Sequence, residues 1–145
     1  MTGIVRIKDG GTHGCKVAES VRGPAIVLIE PQLGENIGTA ARAMLNFELS
    51  DLRLVRPRAG WQNEKAIAAA SGAKGVLSEA RLFECTEEAI ADLHRVYAST
   101  GRSRDMTQQI LSPAHAAQVM RVGAVSGELS GVLFGPERSG LTTED

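Results

Sequence analysis

The feature that most limits what this chain can fold into is its regular alternation of short apolar runs with segments of helical spacing. "AIVLIE" (residues 25–30) is a continuous β-rich run, as expected of a strand buried on both faces. "NIGTAARAMLNF" then sets Ile37, Ala40, Ala41, Met44 and Leu45 along one helical stripe. "DLRLVRP" reads as a second strand stopped by Pro57, and "NEKAIAAASGAKGVL" as an Ala-rich helix closing near Gly72. "RLFEC" is a third strand, and "TEEAIADLH" a helix with Thr86 as N-cap and acids in its first turn. "RVYAST" is a fourth strand. "SPAHAAQVMRV" is a helix with Ser112 as N-cap and Pro113 at its first position, and "SGVLF" a final strand. Strands and helices at this spacing imply βαβ units. The expected fold is therefore α/β, a mostly parallel sheet with helices on both faces.

Composition narrows the reading further. At 145 residues the length suits one domain, and an aromatic content of only 3% leaves the core to Ala, Val, Leu and Ile. A net charge of −1 offers no global attraction to nucleic acid, so RNA binding would need a local basic patch or a dimer surface. Cys15 and Cys85 lie far apart in no metal-ligand spacing and read as free thiols of a reducing cytoplasm. No stretch of 18 apolar residues and no apolar leader occur, so a membrane partner is not expected. Residues 1–24 carry five glycines and no sustained periodicity; they read as a loosely docked arm, with a short extended piece at "IVRI".

In a parallel sheet, three polar loops emerge together at the carboxyl ends of strands, where open α/β sheets bind their ligands. The first, "EPQLGENIG", is neither G-x-G-x-x-G nor a P-loop, because three residues lie between Gly34 and Gly38. A ligand without a pyrophosphate fits it better. Asn36 stands where a helix N-cap belongs, and is either that cap or a site residue. Arg42, among Ala40, Ala41 and Ala43, is either a snorkelling surface residue or one that meets a substrate backbone. The second loop, "STGRSRD", is a solvated turn or a phosphate clamp built on Arg102 and Arg104. In the third, "FGPERSGL", Gly135 and Gly140 permit close backbone approach, Pro136 fixes the bend and Glu137 supplies a carboxylate. His13, His94 and His115 have no partners at ligand spacing, so no metal site is expected.

Two of these segments resemble a known family. "EPQLGENIGTAARAMLNF" followed by "LRLVRP" is similar to the first motif of the SPOUT superfamily of RNA methyltransferases, in its SpoU or ribose 2′-O-methylating branch. "VLFGPERSGL" resembles the second motif of that branch, and "YASTGRSRD" a segment of the sub-branch called tRNA methyltransferase J. The likeness runs from about residue 25 to residue 145. It implies S-adenosylmethionine as cofactor, a deep trefoil knot, a homodimer with sites drawing on both subunits, and a tRNA substrate in preference to rRNA. The family's motif Asn falls on Asn36, its catalytic Arg on Arg42 and its second-motif Glu on Glu137. By the same resemblance Gly135, Pro136 and Glu137 line the cofactor pocket, with Ser99, Thr100 and Gly101 flanking it. Arg102 and Arg104, with Arg42, are then the residues for RNA.

The implied activity is S-adenosylmethionine-dependent 2′-O-methylation of a ribose in the tRNA anticodon loop, carried out in the cytoplasm. One departure matters. The sequence stops at "LTTED", and the family's third motif, which finishes the knot and covers the cofactor, does not follow. The knot is accordingly expected to be incomplete in residues 25–145. That leaves two further readings open: a catalytically inactive RNA-binding or dimerisation module, and an unrelated α/β domain for a nucleotide-like ligand.

Overall fold

The computed structural model describes residues 22–99 and 110–142. Five strands form a single sheet, β1 (Ala25–Ile29), β2 (Leu52–Val55), β3 (Arg81–Phe83), β4 (Arg95–Ala98) and β5 (Ser130–Phe134), in the order β3-β2-β1-β5-β4. Every neighbouring pair is parallel. The helices between them are α1 (Gly34–Asn46), α2 (Glu64–Ala70), α3 (Lys74–Ser78), α4 (Thr86–Ile90) and α5 (Pro113–Val125).

Side chains alternate across β1 and divide the core in two. On one face Leu52 and Leu54 of β2 pack with Ile37, Ala41 and Met44 of α1 and with Ala66, Ala70, Val76 and Leu77 of α2 and α3, and Ile26 and Leu28 lie against them. On the other, Val27, Ile29, Val55 and Leu133 meet Ala89 of α4. Helices thus cover both faces, and small residues do much of the packing. Gly38 shows why: a Cβ there would lie 2.2 Å from the Ala66 carbonyl oxygen and 2.7 Å from Ala69 Cβ, so α1 and α2 approach to backbone distance.

One strand residue departs from the apolar pattern. Arg53 of β2 is 2% exposed. Its guanidinium donates to both carboxylate oxygens of Asp51, to the Ala89 carbonyl at 2.6 Å and to Asp92, and Arg81 joins Asp51 from the neighbouring strand. A buried charge is tolerated because its donors are met on several sides. The network clamps α4 to β2.

One local expectation needs correction. Cys85, not Thr86, holds the N-cap position of α4, and Thr86 is the first helical residue and is buried. The Ala-rich helix closes at Ala70, close to the expected Gly72, where Ser71 takes a left-handed conformation (φ 53°), and a further short helix that the sequence reading did not separate starts at Lys74. The Ser112 cap of α5 is present, its hydroxyl accepting from the His115 N–H at 3.2 Å. Cys85 is a free thiol, and Cys15, His13 and the "IVRI" piece lie outside the described residues. Among the described residues no helix is long and apolar enough to cross a membrane, and no cluster of three metal-ligating side chains occurs.

Candidate functional site

Strand order reverses between β1 and β5: the chain winds from β1 toward β2 and β3 on one side, and β5 and β4 lie on the other. Such switch points open a crevice beyond the carboxyl ends of the strands. The loop after β1 and the loop after β5 meet there, and Glu137 joins them. Its carboxylate accepts from the Gln32 N–H at 2.9 Å, from the Leu33 N–H at 3.4 Å and from the Asn36 side-chain amide at 2.7 Å. These partners are up to 105 residues away in sequence.

The tie changes the reading of Asn36. Helix α1 begins at Gly34, so Asn36 lies inside its first turn and is not the N-cap. Leu33 holds that position and offers no side-chain cap. The anionic partner that a helix N-terminus favours comes instead from Glu137, on another loop. Gly34 fits the first turn because a Cβ there would sit 2.6 Å from Asn63 Oδ1, so α1 starts hard against the N-cap of α2. Burial pushes the Glu137 carboxyl upward, but the bonds from Asn36, Gln32 and Leu33 outweigh it and hold the group below its ordinary range.

Around Glu137 the loop folds on itself. The Gly140 N–H donates to the Pro136 carbonyl at 2.8 Å, Gly140 adopts φ 68°, and a Cβ at Gly135 would lie 2.3 Å from the Leu141 nitrogen. Only glycine fits at 135. On the β4 side, the Ser99 N–H bonds to the Leu133 carbonyl at 2.9 Å, which sets Ser99 beside the end of β5. Gly135, Pro136, Glu137 and Ser99 are therefore gathered at one end of the sheet. Thr100, Gly101, Arg102 and Arg104 lie outside the described residues.

Arg42 is not part of this gathering. It follows Asn36 by six residues on α1, which sets it about 9 Å along the axis and about 120° round it. It is exposed, and has no hydrogen bond or ion pair among the described residues.

The sequence reading missed a second group of residues at the same end of the sheet. Glu30 and Arg56, just past β1 and β2, both take positive φ (44° and 42°), a conformation uncommon outside glycine that concentrates at functional sites. The Glu30 carboxylate pairs with Arg56 at 3.0 Å and Arg58 at 2.6 Å, and the Arg58 N–H donates to the Pro31 carbonyl at 3.0 Å. The only sequence sign of it was "VRPR", two arginines astride a proline at a strand end.

Comparison with known proteins agrees with this geometry. Residues 23–145 match the SpoU rRNA Methylase family. The chain is 36% identical over 121 residues to the tRNA (cytidine/uridine/adenosine-2′-O-)-methyltransferase TrmJ of Pseudomonas aeruginosa, covering 83% of this chain and 46% of that protein. It is 35% identical over 120 residues to the tRNA (cytidine/uridine-2′-O-)-methyltransferase TrmJ of Escherichia coli strain 536, covering 83% of this chain and 48% of that protein. Among solved structures, TrmJ from Z. mobilis ZM4 superposes with a TM-score of 0.79 at 55% identity, over 83% of this chain and 53% of that one. The chain spans about half the length of these relatives. With its parallel sheet, its two motif loops closed on each other and these likenesses together, the chain belongs to the SpoU methylase family, among its TrmJ-like members.

Proposed function

We propose that the chain carries the methyl-transfer site of an S-adenosylmethionine-dependent RNA 2′-O-methyltransferase acting on a tRNA ribose, in the anticodon loop, as a cytoplasmic homodimer. The observation that carries this reading is the closure of the two motif loops through Glu137 at the switch point of the sheet.

The residues present fit the cofactor. The glycine-lined turn at residues 135–141 leaves thin backbone walls beside Ser99, suited to a nucleoside-bearing ligand held by main-chain groups. When bound, S-adenosylmethionine supplies a methyl group on a positively charged sulfur. Gly135 and Pro136 would line its pocket, with Ser99, Thr100 and Gly101 beside them.

Glu137 has its acceptors occupied by the β1–α1 loop, so its part is to hold the pocket's two walls together, with Asn36 as the anchor on α1. It is not placed as a free base. Arg42 is the residue for the substrate. It stands exposed and away from its own Asn36–Glu137 pair, which supports its acting at the site of a second subunit. There its guanidinium would grip a phosphate, orient the ribose 2′-hydroxyl and stabilise the charge that develops as the proton leaves. Arg102 and Arg104 would hold further phosphates.

The test is methyl incorporation into tRNA, run beside calorimetric binding of S-adenosylmethionine. Arg42→Ala is expected to lower transfer by about 10²-fold or more while cofactor affinity stays within about twofold. Equal loss of both would make Arg42 a structural residue. Absence of cofactor binding by the unaltered protein would overturn the reading.

A further inference from the structure

Beside the Asn36–Glu137 site, and sharing Gln32 and Leu33 with it, lies a cleft of about 490 Å³. It runs between the loop after β1 and the loop after β2, and Gly34, Glu35, Ala59, Gln62, Asn63, Glu64 and Lys65 complete its walls. Its size falls among small-molecule sites, which span roughly 300–1,000 Å³.

The walls are tied together. Arg58 N–H to Pro31 carbonyl, Glu30 to Arg56 and Arg58, and the contact of Gly34 with Asn63 fix one loop on the other. The Asn63 side chain is held at both ends, accepting from the Lys65 N–H at 2.9 Å and donating to the Ala59 carbonyl at 3.2 Å. The cleft is thus formed before any ligand arrives, which removes an ordering cost from binding.

Its chemistry is mixed in a particular way. Leu33, Gly34 and Ala59 give apolar surface, and Gln32 and Gln62 carry amides that both donate and accept. Glu35 is the unusual member. Among the described residues its Oε2 is shielded and has no hydrogen-bond partner, and its Oε1 meets only the exposed Lys65 ammonium at 3.5 Å. A shielded carboxylate oxygen without a donor is an acceptor in deficit, and an exposed ion pair of that length holds it weakly. Arg58, next in sequence to Ala59, spends Nε and Nη2 on Glu30 Oε2, and its Nη1 has no partner among the described residues. The charged residues lining the cleft are Glu35, Glu64 and Lys65, with the Glu30–Arg56–Arg58 group on the flanking strand ends, so it is no general polyanion trap. Apolar walls, edge-reading amides and a carboxylate acceptor, with Arg58 adjoining the wall in sequence, together suit a single nucleotide of unpaired RNA.

We propose that this cleft is a nucleotide subsite. It takes the base of a single-stranded RNA nucleotide adjoining the methylated ribose, with Glu35 accepting from an exocyclic amino group and Arg58 meeting the backbone phosphate. The inference rests on the RNA 2′-O-methylation reading and adds a residue-level source of sequence preference to it. Carboxylates accept from the amino group of cytosine in just this way, and uracil offers no such donor.

The experiment uses short stem-loop RNAs that differ only in the nucleotides flanking the acceptor ribose. RNA affinity is read by fluorescence anisotropy at several salt concentrations, methyl transfer by KM, and S-adenosylmethionine binding by calorimetry. The unaltered protein should favour a flanking cytidine or adenosine over uridine by about tenfold, and Glu35→Gln should shrink that ratio to near one. Arg58→Ala should weaken all the RNAs alike and reduce the salt slope by about 0.7, with cofactor affinity unchanged in both variants. RNA binding that keeps the same base ranking in Glu35→Gln and the same slope in Arg58→Ala would overturn the subsite and leave the methyltransferase reading standing. Failure of the unaltered protein to bind either RNA or cofactor would instead remove the reading on which the subsite rests.

Discussion

At the scale of single residues, Asn36 and Glu137 show how far a local pattern reaches. An Asn at the mouth of a helix is a common cap, and sequence reasoning places it there for good cause. The structure puts the helix start two residues earlier, at Gly34, and supplies the anion from Glu137. Nothing within a few residues of Asn36 could have announced a partner that distant. The family motifs single out both residues; that they bond each other was not legible. Glu137→Ala removes the acceptor shared by Gln32, Leu33 and Asn36, and is expected to cost about 1 kcal/mol of stability, the usual worth of a cap on an exposed helix end. Urea denaturation would read this as a lower midpoint at unchanged slope. A change in slope would mean that more than the cap had been lost.

At the scale of elements, β1 was legible as the unbroken apolar run of a strand covered on both faces, and the other four strands as short β-rich runs between helical segments. Their ends were less so. The Ala-rich helix closes at Ser71, near the Gly72 that the sequence indicates, but nothing in the sequence separated the short helix from Lys74, and Thr86 yields its cap position to Cys85. Arg53 was read merely as part of a strand, since no local pattern distinguishes a buried charge from an edge residue. Arg53→Met should destabilise by about 2 kcal/mol: Asp51 and Asp92 retain water, but the Ala89 carbonyl loses its donor. Gly38→Ala tests the other clamp. Helix propensity alone favours alanine by about 1 kcal/mol, but here the new methyl meets the Ala66 backbone, which cannot swing aside as a side chain could. Net destabilisation of about 1–3 kcal/mol is expected from equilibrium unfolding. A stabilised variant would show that α1 and α2 can separate without penalty.

For the whole molecule, the near-neutral charge left RNA binding to local groups, and the structure bears on that choice through Arg42, Arg56 and Arg58, all exposed. It also sets an acid limit. Burial raises the Asp51 carboxyl but the Arg53 and Arg81 bonds lower it further; the Arg53 bond lowers Asp92; and Glu137 is lowered as described. All three are depressed in the folded state. They therefore contribute stability that is fully present above the unfolded carboxylate range, near pH 4, and is lost as pH falls through the folded values. Thermal midpoints should hold from pH 7 to about 5 and drop below about 4, and Arg53→Met should flatten the acid limb. An acid limb as steep in Arg53→Met as in the unaltered protein would assign it to other carboxylates.

The span of the Glu137 tie has a consequence for synthesis. A ribosome delivers β1 and α1 early, and more than a hundred residues separate Gln32 from the carboxylate that anchors its loop. Throughout that interval the entrance to α1 lacks the Glu137 carboxylate, and β5, which completes the crevice, has not been made. Non-local contacts of this kind form late, because the intervening chain must first be ordered. The nascent chain thus emerges with its helix face ready and its crevice open, and the crevice closes only once β5 and Glu137 have followed.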